Sequence, residues 1–221
     1  MRLHVAKLKI NGSNAIGTFG YVNDEIAILS PVVSREEEKV IRETLQVEEV
    51  IRTTIAGIHT IGIFIIGKKD KLVLPSIVDE KEIKVLEELF KVEVIDAVND
   101  ALRNNYYVWK KRNILLAPRE LRREASKIAK ILNLDLITID ESEIELGSSI
   151  AGNDRGILVN PDIYLKVKEI LGDNVYEGTV NMGDGFVGAG MLINNKGYVV
   201  GSKTTGIELA SIDEKLFLNN I

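Results

Sequence analysis

Chemistry in this chain would have to come from two histidines, His4 and His59, a set of acidic groups and no cysteine. Without a thiol there is no cysteine nucleophile, no disulfide, no zinc ribbon and no iron–sulfur ligand set. The two imidazoles stand far apart and have no acidic partner at ligand spacing, which makes a poor transition-metal site. His59 ends the run Thr54-Ile55-Ala56-Gly57-Ile58-His59, where an imidazole is either solvated or meets a partner. Asp140, Glu141, Glu143 and Glu145 could pair carboxylates for acid–base work, but no second group converges on them and a solvated loop is the simpler reading. The stretch 178–190 contains a formal G-x-G-x-x-G. A dinucleotide site needs such glycines to open a helix, whereas these run into Met191-Leu192-Ile193 and the turn Asn194-Asn195-Lys196-Gly197, a hairpin pattern. Their expected use is a close passage of backbone near the centre of the fold.

Two basic clusters, Lys68-Lys69 with Lys71 and Lys110-Lys111-Arg112, read as turns, with Arg119, Arg122 and Arg123 opening a nearby helix. They are placed to meet RNA phosphates or simply solvent. The net charge of −5 and pI near 5.3 argue against a protein built mainly to neutralise phosphate. No cofactor is expected.

The elements that must position these groups are set by the prolines. There are four, Pro31, Pro75, Pro118 and Pro161, at intervals of 44, 43 and 43, each closing a short apolar run; a further step of 43 lands on Thr204. Such a period is the signature of internal repetition. Each step then carries a helical pattern, with capping boxes at Ser34/Glu37, Asp79/Glu82 and Thr205/Glu208. A short apolar strand follows, as at 47–51, 92–95, 134–139 and 175–180, then a polar tip, a second strand, a turn and the run into the next proline. The last step has a helix at 205–217 and no strand after it, while a strand at 3–10 has no helix before it. If the ends meet, the edges disappear. The reading is one domain over 1–221, a closed ring of five αβ units near 10–53, 54–98, 99–140, 141–180 and 181–221, completed by a strand at 1–9. The composition, 45% hydrophobic and 28% charged over 221 residues, supports a soluble domain that buries roughly 70% of its unfolded surface. No apolar run reaches the ~20 residues of a membrane span, and the start has no signal-peptide core, so a cytoplasmic protein without a membrane partner is expected. Its Ile, Lys and Glu content hints at a thermophile.

Several ordered segments are similar to one family. Glu177-Gly178-Thr179-Val180-Asn181-Met182-Gly183, then Ala189–Asn194, Thr204-Thr205 and Glu208-Leu209, resemble the C-terminal signature of translation initiation factor 6; Thr54–Gly57, Ile61-Gly62 and Asn14–Gly17 look like the same family. The resemblance implies the pentein fold, an α/β propeller of five units about a pseudo-fivefold axis. It implies a monomeric ribosome anti-association factor in its archaeal form, which binds the large (50S) subunit beside the sarcin–ricin loop and neighbouring ribosomal proteins and keeps the small (30S) subunit off. His59 stands where eukaryotic members usually have arginine. Penteins also include guanidine-modifying enzymes, but those need the cysteine this chain lacks; a generic protein-interaction ring is the other alternative. Loops that diverge on a regular scaffold are where recognition is expected. The tips 11–14, 54–59, 102–105, 146–149 and 181–184 are therefore expected on one rim. The ribosome-binding candidates are Asn14, His59, Arg103, Asn104, Asn105, Ser148, Ser149, Met182 and Asp184.

Overall fold

The computed structural model describes residues 4–140 and 145–218. Leu3, at the start of the expected first strand, and Glu141 and Glu143 of the acidic segment lie outside the described residues. Strand β1 (Val5–Leu8) comes first. A single 3-10 turn, Ile16–Phe19, leads to β2 (Gly20–Val22), β3 (Ile26–Leu29), α1 (Arg35–Leu45) and β4 (Glu49–Arg52). The same order follows from the turn Ile61–Ile63 through β5 (Ile66–Lys68), β6 (Lys71–Pro75), α2 (Glu80–Leu86) and β7 (Lys91–Ile95). It recurs as α3 (Leu102–Asn105), β8 (Tyr107–Trp109), β9 (Ile114–Pro118), α4 (Arg122–Leu132) and β10 (Asp135–Ile139). The next is α5 (Leu146–Ser149), β11 (Ile150–Gly152), β12 (Ile157–Val159), α6 (Pro161–Leu171) and β13 (Val175–Glu177). The last is α7 (Val187–Gly190), β14 (Met191–Ile193), β15 (Tyr198–Gly201) and α8 (Gly206–Asp213), which runs on into a π-helical turn, Glu214–Leu218.

The strands form five three-stranded sheets: β2-β3-β4, β5-β6-β7, β8-β9-β10, β11-β12-β13 and β14-β15-β1. In each, the first pair is an antiparallel hairpin and the third strand lies parallel to the second. The third member of the last sheet is β1, Val5 opposite Tyr198 and Leu8 opposite Gly201.

The helices start where the sequence provides caps. All three capping boxes are made, and α6 begins on Pro161, where a missing N–H costs nothing. Gln46 and Asn133 close α1 and α4 in the left-handed conformation. Each of five hydrophobic clusters spans two sheets. Leu192 and Val199 join Ile16, Leu29 and Ile41; Ile28 and Ile51 join Leu72 and Leu86; Ile66 and Val73 join Leu115 and Ile128; Leu116 and Ile139 join Val159 and Val167; Ala151 and Leu158 join Val200 and Ile212.

Within the apolar run 61–67, Gly62 packs onto the Gly17 backbone in a 3-10 turn before β5 begins. One expectation needs correction. Residues 102–105 and 146–149 are not tips but one-turn helices, the counterparts of Ile16–Phe19, Ile61–Ile63 and α7, all leading into the second-strand position of a unit. The narrow tips are the bridged turns Ile10–Ser13, Ile55–Ile58 and Val180–Asp184. That last bridge is also why β13 stops at Glu177 rather than running on to Val180.

Candidate functional site

The tips are held open in unusual backbone conformations. Asn11 and Asn181 lie at φ 49° and 54°, which asparagine tolerates, but Ala56 at 53° and Met182 at 72° are non-glycine residues in the left-handed region. One buried glutamate supports each of these last two. Glu82, third residue of α2, accepts from the Thr54 hydroxyl and from the N–H groups of Ala56, Gly57 and Asp79. Glu208, in the same place on α8, accepts from the Thr179 and Thr205 hydroxyls and the N–H groups of Met182, Gly183 and Thr205. Glu124 of α4 does the same for the third unit, accepting from Val98 N–H and the Tyr106 hydroxyl. Glu82 and Glu208 thus bind their own helix start and the neighbouring tip at once, with the positive helix end beneath them. Sequence reading assigned Glu82 and Glu208 only to helix caps and missed Glu124. The signal was there, since the three recur at whole repeat lengths.

Burial alone would raise the pKa of Glu82 and Glu208, but the hydrogen bonds they accept outweigh it and hold both below the ordinary 4.5. A depressed folded pKa means stability present above that ordinary value and lost as pH falls through the folded one. The tips should therefore loosen in acid, below about pH 4.5. Glu208→Gln removes the charge at constant shape and should cost about 1.5–3 kcal/mol, with the acid-dependent part of the melting curve reduced; an unchanged acid limb would discount the buttress.

The nine candidate residues do not form one surface. His59, Met182 and Asp184 are exposed at tips, Met182 72% so. Ile58 and Phe186, which the sequence reading passed over, are exposed beside them. Asn14 is half-buried: its side-chain oxygen accepts from Ser202 and its carbonyl from the Asn181 amide, tying the first tip to the last. Asn105 caps its own turn through Ala101 O. The Asn104 side-chain oxygen lies 3.0 Å from the buried Ser148 hydroxyl, which also meets Glu145. Ser149 is fully buried, so it cannot be a contact residue as expected; α5 turns it into the core.

Arg103 is not a tip residue either. The second residues of the five helical turns are Gly17, Gly62, Arg103, Gly147 and Gly188. Gly62 packs on the carbonyl of Gly17, Gly17 on that of Gly188, Gly188 on that of Gly147, and Gly147 on that of Arg103; a Cβ on any of the four would lie 1.5–2.3 Å from that oxygen. Glycine is needed here for the close approach. Arg103 sends its guanidinium inward to the carbonyls of Gly17 (3.4 Å) and Gly188 (3.2 Å). It lines a half-open chamber of about 800 Å³, walled by β2, β5, β8, β11 and β14 and rimmed by the hairpin turns.

The basic turns expected as RNA contacts have internal partners. Lys68 and Lys71 donate to the carbonyls of Ile131, Leu132 and Asn133 at the end of α4, and Arg112 to those of Leu171 and Asp173 after α6. Lys196 does the same at α1 through Gln46 O. A cation at the negative end of a helix satisfies orphan carbonyls; Lys69 and Lys111 remain exposed. His4, with no acidic residue near it in sequence, meets Asp213 at 2.9 Å through the fold. The glycine-rich stretch forms the left-handed tip at Gly183 and the single turn α7, with no long helix behind it. Among the described residues, no helix is long and apolar enough to cross a membrane.

Comparison with solved structures places a DDAH from Pseudomonas aeruginosa with citrulline at a TM-score of 0.50 and 17% identity, over 90% of this chain and 72% of that one. A dimethylarginine dimethylaminohydrolase adduct aligns at 0.52 and 17%, over 74% and 68%. At that identity they share the pentein fold and no more. Sequence relatives are closer. Translation initiation factor 6 of Nanoarchaeum equitans is 53% identical over 96% of this chain and 99% of that protein. The proteins of that name from Staphylothermus marinus and Pyrococcus horikoshii are 32% and 30% identical, over 95% and 97% of this chain and 96% and 99% of theirs. The eIF-6 family model matches residues 5–215. The chain belongs to the eIF-6 family of translation initiation factors.

Proposed function

We propose that this protein makes and breaks no bond: it binds the large ribosomal subunit through its tips and occupies the space that the small subunit needs. Family membership supports the partner. The observation that carries the docking face is the pair of glutamate-buttressed, left-handed tips, which hold Ile58, His59, Met182 and Asp184 outward. Backbone held in sparsely populated conformations by its surroundings marks a place where shape is maintained for use. A surface already ordered avoids the entropy of ordering loops on binding. We read the scaffold as one domain, a closed ring of five repeats near 10–53, 54–98, 99–140, 141–180 and 181–221, with the strand at 1–9 completing the last. In favour are the cores that span every sheet boundary and the succession of glycine contacts. The protein would act as a cytoplasmic monomer.

A guanidine-modifying reading fits poorly. Beyond the missing cysteine, the chamber is lined by the Arg103 cation, which would repel a cationic guanidinium.

Sedimentation with separated subunits tests the proposal. The protein should travel with large subunits, not small ones, and lower the yield of joined ribosomes without nucleotide. His59→Asp with Met182→Asp should weaken that binding at least ~10-fold while each exposed change shifts stability by about 0.5 kcal/mol or less. Lys69→Glu with Lys111→Glu, on the turn rim, should leave binding unchanged. If the lysine pair loses binding and the tip pair keeps it, the docking face is the turn rim and contact with RNA phosphates is the better account.

A further inference from the structure

The chamber floor carries a cation without an anion. Arg103 has five N–H donors, and the two hydrogen bonds that it makes are to neutral carbonyls at 3.2 and 3.4 Å, long for a guanidinium. Among the described residues no carboxylate forms an ion pair with it. Arg103 is partly buried, and a charge withdrawn from water is costly unless it is paired and hydrogen-bonded.

The groups around it are donors too. Tyr21 is 92% buried and lines the chamber, and its hydroxyl has no hydrogen-bond partner among the described residues. Trp109, 98% buried on the same wall, leaves its indole N–H, which can only donate, equally unpartnered. Lys110 lies over the Tyr21 ring, 5.2 Å from its centroid, and reaches Val22 O. Burial pushes the Tyr107 phenol upward, so it stays protonated and able to donate.

The acidic groups of the chamber, Asp24, Glu25, Asp70 and Asp154, sit at the hairpin turns. Asp24 accepts from Asn195, Asp70 pairs with Lys91 at 2.9 Å, and Glu25 and Asp154 form no ion pair with Arg103.

We propose that the floor of the chamber is a binding site for a small oxyanion, a phosphate or a carboxylate, held by the Arg103 guanidinium with the Tyr21 and Tyr107 hydroxyls as further donors. A planar guanidinium matches two oxygens of such an ion. The repeat makes the point from sequence as well. Arg103 occupies the place that glycine holds in the other four turns. Bound anion would join the first and third units at their centre.

Titration calorimetry on the full chain with inorganic phosphate and with acetate, against chloride at matched ionic strength, tests this. One saturable site is expected for at least one of the two ions, and the pair tells phosphate from carboxylate. Tyr21→Phe, which removes only the unpartnered hydroxyl, should weaken binding at least ~3-fold, as expected for a lost hydrogen bond. Arg103→Gly, the residue that its counterparts carry, should weaken it at least ~10-fold. Binding of equal strength in the parent and both variants, or no binding of either ion at tens of millimolar, overturns the site.

Discussion

Gly147→Ala should lower the melting temperature by roughly 6–12 °C, among the largest effects of any single methyl group in this protein. The added Cβ would stand 1.5 Å from the Arg103 carbonyl oxygen, with the Tyr106 carbonyl 2.5 Å away. Both obstacles are backbone, so no rotamer change relieves the overlap. Overpacking a core costs about 1–3 kcal/mol, and a clash with main chain belongs at the top of that range. A chain of this size loses about 2–4 °C per kcal/mol. Relaxation is hard because Gly188 rests on the Gly147 carbonyl in turn, and Gly17 on that of Gly188, so moving one turn strains the next. Gly206→Ala is the contrast. It opens α8 with no atom near its missing Cβ and no left-handed φ, so alanine there should stabilise by about 0.4–1 kcal/mol through the unfolded state. Calorimetry of the two variants checks both signs. An alanine at 147 that melts within about 2 °C of the parent would mean that the centre is soft.

That centre shows what the sequence could and could not reveal. The proline period, the capping boxes and the apolar spacing were visible because they are local: a cap is three residues long, and a helix face shows in its own sequence. The five sheets therefore follow the repeat that the prolines mark. The second residues of the helical turns were hidden. Gly17, Gly62, Gly147 and Gly188 are glycines for a reason that lies in a different repeat, the carbonyl that each one touches. Read singly, 146–149 looked like a polar tip, although Ser149 is buried and Ser148 meets Asn104 and Glu145.

Charge misled in the same way. Lys68, Lys71 and Arg112 look like free cations in sequence, but the carbonyls they satisfy end helices some sixty residues further on. The candidate tips were read better where their chemistry is local. His59, Met182 and Asp184 emerge exposed, whereas the residue that holds the Met182 tip, Glu208, acts through a fold-back that no short window displays.

Deleting residues 1–8 should destabilise the whole domain rather than fray one end. Strand β1 pairs along its length with β15, and its flanks add bonds: Tyr198 N–H to His4 O and Ser202 N–H to Leu8 O, both 2.8 Å. The Lys7 ammonium reaches Thr204 O, and the His4 ring meets Asp213 and packs on Phe217. Burial makes the strand matter more than those bonds do. Ala6 and Leu8 pack into the cluster of Ile16, Leu29 and Ile41, while Val5 packs into that of Val200, Ile212 and Leu216. One short strand thus closes two cores, and its loss leaves β15 with an unpaired edge. Several kcal/mol of a typical ~5–15 should go, with a single transition at lower temperature in calorimetry. A synthetic peptide of residues 1–10 added in trans should restore much of the loss, because a vacated parallel edge accepts a strand by main-chain pairing. A truncated chain that melts like the parent would show that β1 lies on the fold without closing it. Two separated transitions would show that the five units do not share one cooperative core.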